Sequence, residues 1–344
     1  MKEEKKKISI RDIAKQLNIS VTTVSFILNG RAKEKRISDH LKEKVEKLVK
    51  EVNYKPNRLA QSLRTGKTRI LGFMVEDISN PFFANIARYI EEQAYREGYK
   101  ILYCSTENDR EKTQELISMF RERHVDGYII TPPCGVEEDI KALLLDKLPV
   151  VLFDRYFPEI NVPAVVVENK KGTYNAIKSL IEQGYKNIAF VTVESDQSQM
   201  MDRLQGYEQA LREHEMLPNI LKVKFHDATE TIVQKIVEFI RTTDTVDALF
   251  FATNYLGVRG LEAIRREGLV MPDQIGVITF DDHDVFQLHN PSVTAVSQPI
   301  EEIARQLISN ILNQLDESEG VEHPQTVVLP CVLMNRKSSI RSLP

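Results

Sequence analysis

Apolar residues in the first 55 positions recur at the spacing of amphipathic helices and predict three short helices. The first begins at Ser9-Ile10-Arg11-Asp12, a capping-box pattern in which the Ser hydroxyl and the acidic side chain can satisfy free backbone amides. Ser20 can cap a second helix after a break at Asn18-Ile19, and Ser38 can cap a third. The residues predicted to face a shared core are Ile10, Ile13, Ala14, Leu17, Val24, Ile27, Leu28, Leu41, Val45, Leu48 and Val52.

Two short helices joined by a tight turn form a helix-turn-helix, in which residues near the start of the second helix reach DNA base edges. The outward residues of the second helix are Val21, Thr22, Ser25 and Phe26. A small helical bundle without a DNA role gives the same pattern, so charge decides between the two. Residues 1–69 contain 19 Lys and Arg against 8 Asp and Glu, a balance of +11, and the net charge of −4 leaves −15 for the remainder. A basic segment at 1–69 followed by an acidic remainder indicates that the first segment alone contacts DNA phosphates.

From residue 70 apolar runs alternate with amphipathic helices, which predicts doubly wound parallel α/β sheets. A first series has strands near 70–75, 100–104, 127–131 and 149–153. A second series has strands near 164–167, 187–193, 221–225, 247–252 and 275–280. Two similar sheets predict two lobes with a cleft between them.

Composition narrows the class of protein further. Hydrophobic residues make up 42% and charged residues 28%, as in ordinary globular proteins. We see neither the apolar core of a signal peptide nor a run of about 18 apolar residues, so we expect a cytoplasmic protein without membrane contact. Cys104, Cys134 and Cys331 are widely spaced beside apolar runs, which favours buried reduced thiols over a disulfide. The histidines show no metal-ligand spacing with them, and we predict neither a metal site nor a cofactor.

Five motifs near the amino terminus carry a family resemblance. They are Ile8-Ser9-Ile10-Arg11-Asp12-Ile13-Ala14-Lys15, Val21-Thr22-Thr23-Val24-Ser25, Leu28-Asn29-Gly30, Asn53-Tyr54-Lys55-Pro56-Asn57-Arg58-Leu59-Ala60 and Ser62-Leu63-Arg64-Thr65-Gly66. The chain thereby resembles the LacI/GalR family of bacterial transcriptional regulators over nearly its whole length. The resemblance implies a helix-turn-helix head at 1–55, a hinge at 56–69 and a two-lobed body, like that of periplasmic sugar-binding proteins, at 70–344. It also implies three crossings between the lobes, which places one lobe at about 70–162 plus 291–322 and the other at about 163–290 plus 323–344.

The segment from Pro56 to Gly66 predicts a conditionally folded helix, since Pro suits a helix start and Gly a helix end. Isolated helices below roughly 12–15 residues are marginal in water, so this one should fold only against a partner. The family resemblance implies that two such helices of a dimer pack in the DNA minor groove, with Leu63 wedged between base pairs. A plain flexible linker is the alternative. The predicted DNA-binding residues are Ser20, Val21, Thr22, Ser25, Phe26, Asn29, Arg58, Ala60 and Leu63.

Side chains that follow predicted strands are candidates for ligand contact, because ligands of α/β sheets lie at the carboxyl ends of strands. Carboxylates and amides can exchange hydrogen bonds with hydroxyls, an Arg fork can bind a diol or an acid, and aromatic faces can stack on sugars. Arg203, Asn254 and Asp281 match the family's effector contacts one by one. Simpler roles stay open: the two Asp residues as helix caps, Asn254 in a turn and the Phe residues in the core. The predicted effector-binding residues are Phe82, Phe83, Asp154, Arg203, Asn254 and Asp281.

Two positions depart from the family pattern. Phe26 stands where relatives often have Arg, which removes a bidentate guanine contact and offers an apolar surface to a thymine methyl. Tyr255 follows Asn254 where many relatives carry Asp. We therefore expect an operator and a ligand that cannot be transferred from relatives.

These features together predict a homodimeric transcriptional regulator, most simply a repressor, which binds a pseudopalindromic operator and responds to a sugar or sugar derivative. An effector with different affinity for two lobe arrangements would shift hinge pairing and hence DNA affinity. The alternative is a solute-binding protein of a sugar transport system, which would share the two-lobed body but not the basic head. An enzyme that uses Asp154 or the pair Asp281-Asp282 is a further rival. We predict no catalytic residues, because the sequence offers no nucleophile–base pair, metal cluster or glycine-rich loop.

Overall fold

The computed structural model describes residues 8–54, 66–243, 245–316 and 325–341. The chain divides into two compact units, one up to Thr68 and one from Arg69 onward. Residues 56–65 of the predicted hinge lie outside the described residues, and with them the DNA-binding candidates Arg58, Ala60 and Leu63.

Residues 8–54 of the first unit form a bundle of three capped helices, as the hydrophobic pattern predicts. They are α1 (Ile10–Gln16), α2 (Val21–Leu28) and α3 (Asp39–Glu51). The hydroxyls of Ser9, Ser20 and Ser38 each accept a hydrogen bond from the backbone amide three residues on. The reciprocal bond from the Ser9 amide to the Asp12 carboxylate completes the predicted capping box. Seven apolar side chains form the buried core: Ile13, Ala14, Val24, Ile27, Ala32, Val45 and Leu48.

The second unit alternates strands and helices along the described chain. Its strands are β1 (Ile70–Val75), β2 (Lys100–Ser105), β3 (Gly127–Ile130), β4 (Val150–Phe153), β5 (Ala164–Val167), β6 (Ile188–Val193), β7 (Asn219–Val223), β8 (Ala248–Phe251), β9 (Gly276–Phe280), β10 (Thr294–Ser297), β11 (Thr326–Leu329) and β12 (Val332–Met334). Its helices are α4 (Pro81–Arg96), α5 (Arg110–Glu122), α6 (Glu137–Leu145), α7 (Asn169–Glu182), α8 (Ser198–Glu213), α9 (Thr229–Thr242), α10 (Asn254–Arg266), α11 (Asp284–Leu288) and α12 (Ile300–Leu315), with a 3-10 turn at Lys337–Ser339. Within the described ranges, no helix combines the length and the apolar character needed to cross a membrane.

These strands form two six-stranded sheets with the same internal order. The first sheet runs β11-β5-β4-β3-β1-β2 and the second runs β12-β10-β9-β8-β6-β7. The strand pairs are parallel except β10 with β12, which is antiparallel. The central strands are apolar and buried along their length, because helices cover both faces of each sheet. The predicted fold class, two doubly wound sheets in two lobes, is confirmed.

The crossings between the lobes lie at different residues from those predicted. Strand β5 pairs with β4 in the first sheet, so the first lobe extends through Val167 instead of ending near residue 162. Strand β10 pairs with β9, which keeps residues up to Ser297 in the second lobe, and β11 returns to β5 in the first. The prediction failed here because a short run such as Ala164–Val167 is apolar on both faces and carries no information about which sheet it joins.

The cysteines are free, but they are less buried than predicted. Cys104 and Cys331 are half-buried, whereas Cys134 is exposed. Cys134 follows Pro132-Pro133 beyond the end of β3, and proline cannot continue a central strand, so the chain turns toward the surface before the thiol.

Candidate functional site

The exposed side of α2 carries the DNA-binding candidates of the described head. Val21 and Thr22 are exposed and Ser25 is half-buried, and their spacing places them on neighbouring positions of one helical face. Ser20 and Asn29 lie at the two ends of the helix. The Ser20 hydroxyl accepts from the Thr23 amide at 3.0 Å, and Asn29 Nδ2 donates to the Ser25 carbonyl at 2.7 Å. These two residues therefore shape α2, whatever else they contact.

Phe26 lies among the cations of the loop that follows α2. The Lys35 ammonium is 5.4 Å and the Arg31 guanidinium 5.7 Å from the centre of its half-buried ring. Arg31 also forms a bidentate pair with Glu34, at 2.7 and 2.6 Å. Hydrogen bonds from Arg31 and Lys35 lower the pKa of Glu34 to about 2. The Phe26 ring thus packs against the basic loop, and this contact holds the side chains of Arg31 and Lys35 next to α2.

In the body, the two lobes present the same backbone feature at the cleft. Asp154 directly follows β4 in the first lobe, and Asp281 directly follows β9 in the second. Both residues have positive φ, +67° and +68°. The Asp154 amide donates to the Val165 carbonyl at 3.1 Å, and the Asp281 amide donates to the Val296 carbonyl at 2.9 Å. Left-handed backbone is uncommon outside glycine, although Asp adopts it more readily than most residues, and here the same conformation recurs at the equivalent strand end of each lobe.

Arg203 of α8 is a buried side chain of the second lobe. Its guanidinium is 2% exposed, and its Nε donates to Asn169 Oδ1 at 2.9 Å. Nη1 donates to the Ala252 carbonyl at 2.6 Å and lies 3.8 Å from Asp281 Oδ2. The guanidinium carbon lies 3.6 Å from the centre of the Phe280 ring. Arg203 is therefore held by its own lobe through hydrogen bonds, charge and ring stacking.

Arg155 of the first lobe is equally buried but has fewer partners. Its side chain is 2% exposed, and Nη2 donates to Glu76 Oε2 at 2.8 Å. Nε lies 3.6 Å from Asp154 Oδ2, beyond hydrogen-bond distance. Nε and Nη1 find no hydrogen-bond partner among the described residues. An unsatisfied buried polar group costs about 1–3 kcal/mol, and more if charged, so these two donors point to a ligand.

Asn254 links the two lobes at the start of α10. Its Nδ2 donates across the cleft to Asn80 Oδ1 at 2.8 Å, while its own Oδ1 is buried without a partner in the described chain. A second bridge lies at the rim, where Gln197 Nε2 donates to Asn108 Oδ1 at 3.2 Å. The described structure therefore has the lobes in contact, with an unsatisfied acceptor on one lobe and unsatisfied donors on the other.

Burial also changes the acidity of the cleft carboxyls. Desolvation raises the pKa of Asp154 to about 6, against the opposing effect of Arg155 and Arg203. Desolvation raises the pKa of Asp281 as well, although Arg203 and a hydrogen bond from Gln298 favour its ionised form. Gln298 Nε2 donates to Asp281 Oδ1 at 2.5 Å. Burial thus favours the neutral form of both carboxyls, while the nearby arginines favour the ionised form.

Two cavities open on the cleft, and Glu76, Phe225 and Tyr255 line both. The first has a volume of about 410 Å³ and includes Asn80 and Asn254 in its wall. The second has a volume of about 500 Å³ and includes Asn108, Cys134 and Gln197. Volumes of this order accommodate a small sugar.

The structure brings four of the predicted effector residues together and places the other two in the core of the first lobe. Asp154, Arg203 and Asp281 interact electrostatically, and Asn254 belongs to the same cluster. Phe82 and Phe83 pack in the first lobe's core, with ring centres 5.0 Å apart. Of the six predicted effector residues, Asn254 is the one in the walls of the two cavities, and effector contact by all six stays a prediction.

Four site residues were not among the predicted contacts: Glu76, Asn80, Arg155 and Gln298. A signal existed for three of them, because Glu76 directly follows β1, Asn80 lies in the next loop and Arg155 follows Asp154. Gln298 gave none, because the strand that it follows, β10 (Thr294–Ser297), was not among the predicted strands.

Comparison with known proteins defines the class of protein. Residues 9–57 match the model of bacterial regulatory proteins of the lacI family, and residues 177–339 match that of a periplasmic binding protein-like domain. The ribose operon repressor of Halalkalibacterium halodurans is 30% identical over 310 residues, which cover 90% of this chain and 91% of that protein. The chain is a transcriptional regulator, and it belongs to the LacI family.

Solved structures agree with the fold. The lac repressor dimer bound to operator and the anti-inducer ONPF is 21% identical, with a TM-score of 0.85 over 98% of this chain and all of that one. The transcriptional regulator CelR in complex with cellobiose is 25% identical, with a TM-score of 0.71 over 96% of this chain and 99% of that one. The relatives named here are transcriptional regulators, and the transport alternative receives no support.

Proposed function

We propose that this regulator is a homodimeric repressor whose affinity for a pseudopalindromic operator is set by a small sugar bound between the lobes. One observation carries the proposal: two donors of Arg155 and the Oδ1 acceptor of Asn254 belong to opposite lobes and are buried without partners in the described chain, and Asn254 lines the same cavity as Glu76, the partner of Arg155. A sugar hydroxyl both donates and accepts, so one ligand can satisfy both sides.

The relatives support a sugar as the effector. One is named a ribose operon repressor, and the CelR structure contains cellobiose. The cluster of Asp154, Asp281 and Arg203 supplies the acceptors and donors that a ring of hydroxyls requires. No catalytic role is inferred, since the relatives are repressors.

Control of DNA binding follows from the two arrangements of the lobes. A sugar that spans Arg155 and Asn254 favours the arrangement in which the two lobes touch, and it can shift the equilibrium only by its differential affinity. The head at 1–55 reads the operator through α2, with Leu63 of the predicted hinge in the minor groove. By linkage, the operator changes the affinity for the sugar by the same factor as the sugar changes the affinity for the operator.

The proposal is tested with the full-length protein and a DNA duplex that it selects from a random-sequence library. Fluorescence anisotropy would measure duplex affinity with and without D-ribose, with cellobiose as a second probe, and ultracentrifugation would measure the oligomeric state. We expect a dimer whose specific affinity changes at least fivefold with one sugar, within the range of allosteric coupling. Unchanged affinity with both sugars, or a monomer on DNA, would refute the proposal.

A further inference from the structure

The buried end of the cleft carries an uneven set of charges. Its guanidinium groups belong to Arg155 and Arg203, and both are 2% exposed. Its carboxylates belong to Asp154, Asp281 and Glu76, of which Glu76 is the most exposed at 13%. Three carboxylates thus face two guanidinium groups in a region where charge interactions are screened little by solvent.

Glu76 is the carboxylate that balances Arg155, and its position is fixed. Its Oε2 accepts from Arg155 Nη2 at 2.8 Å and from Asn108 Nδ2 at 2.6 Å. Asn108 in turn accepts from Gln197 of the second lobe at 3.2 Å. Because Glu76 lines both cavities, a ligand that enters from either side meets this carboxylate.

The cavity walls add no surplus of positive charge. Among their residues, carboxylates outnumber cations: Asp77, Glu194, Asp196 and Asp227 against Lys222 and Arg259. Asp227 Oδ2 lies 2.6 Å from the ammonium of Lys235, a residue that does not belong to the cavity walls. A phosphate group in either cavity would therefore lack the cluster of cations that anion sites use.

We infer that Glu76 makes the cleft selective for uncharged sugars over their phosphates. Its carboxylate neutralises Arg155, so that Nε and Nη1 serve as donors to neutral hydroxyls, and the same carboxylate repels an anionic substituent. This inference rests on the proposed function, in which the cleft binds a sugar. It adds the chemical class of that sugar and the residue that determines it.

The test uses full-length Glu76→Gln, in which the amide retains the size and one acceptor oxygen of the carboxylate. Calorimetry at pH 8 would give the affinities of the parent and the variant for D-ribose and D-ribose 5-phosphate. We expect the parent to bind D-ribose at least tenfold more tightly than the phosphate. The variant should lose at least tenfold of that preference, mainly by binding the phosphate more tightly.

Glu194→Gln is the matched control, because it removes a carboxylate from the same cavity at an exposed position. Solvent screening should limit its effect on the preference to less than threefold. Retained D-ribose binding by the Glu76 variant shows that it folds. The inference is overturned if the parent binds D-ribose 5-phosphate more tightly than D-ribose, or if Glu76→Gln and Glu194→Gln change the preference equally. Either result leaves the proposal of a sugar effector intact. If the parent binds neither compound and its operator affinity responds to neither D-ribose nor cellobiose, the proposed effector class fails and this inference falls with it.

Discussion

Each lobe has the same strand order in its sheet and an aspartate with positive φ after one strand. The two lobes nevertheless hold their buried arginines differently. In the second lobe, Arg203 has Asn169, the Ala252 carbonyl, Asp281 and the Phe280 ring as partners. In the first lobe, Arg155 has one hydrogen bond, to Glu76, and two donors without partners in the described chain. The comparison teaches that Arg203 is held by its own lobe before ligand binds, whereas under the proposed function Arg155 gains its remaining partners from the ligand.

The largest expected effect is on stability, from Arg203→Met. The change leaves Asn169 Oδ1, the Ala252 carbonyl and Asp281 buried with fewer partners. Removal of one partner from a buried charged network costs about 3–5 kcal/mol of unfolding free energy. Urea unfolding of the parent and the variant would measure it. A loss below about 1 kcal/mol would mean that Arg203 is not the preformed group described here.

The pH dependence of unfolding should report the burial of the Asp154 carboxyl. Burial raises the pKa of Asp154 from 3.8 to about 6, so the folded state binds this proton more tightly than the unfolded state. The stabilising contribution is therefore complete below about pH 4 and is lost as the pH rises through 6. Between those values the parent should lose roughly 1.4 kcal/mol per pH unit relative to Asp154→Asn.

Urea unfolding at several pH values between 4 and 7 would measure that difference. Asp281→Asn is the control from the other lobe, and its contribution should have the same sign because burial raises that pKa too. A parent and an Asp154→Asn variant with parallel pH profiles would show that Asp154 does not titrate in this window.

A smaller effect is expected at the bridge between the lobes. Asn80→Ala removes the acceptor for Asn254 Nδ2. One hydrogen bond contributes about 0.5–1.5 kcal/mol, so the contact between the lobes should weaken by that amount. Small-angle scattering would detect a larger radius of gyration, and Ser79→Ala, one residue earlier in the same loop, is the control. Equal radii for Asn80→Ala and the parent would exclude a role for this bond in closure.

Strand-end reasoning could find the aspartates but not the difference between the lobes. Asp154 and Asp281 were predictable, because the residue after a buried parallel strand lies at the ligand-binding edge. Arg155 follows Asp154 in sequence, yet its unsatisfied donors depend on distances to Glu76 and Asp154 that no local pattern encodes. The sheet to which Ala164–Val167 belongs was equally hidden, since apolar runs of this kind suit either lobe.

The account rests on the two unpartnered donors of Arg155, and calorimetric titration of D-ribose into the parent and Arg155→Met tests them directly. Each charge-assisted hydrogen bond contributes about 1.5–3 kcal/mol, so the loss of two predicts affinity at least about 100-fold weaker. Without sugar, the variant should also be less stable, because Glu76 and Asp154 lose their buried cation, so circular dichroism must show that both proteins are folded under the conditions of the titration. Equal affinity of the parent and the variant for D-ribose would contradict the account.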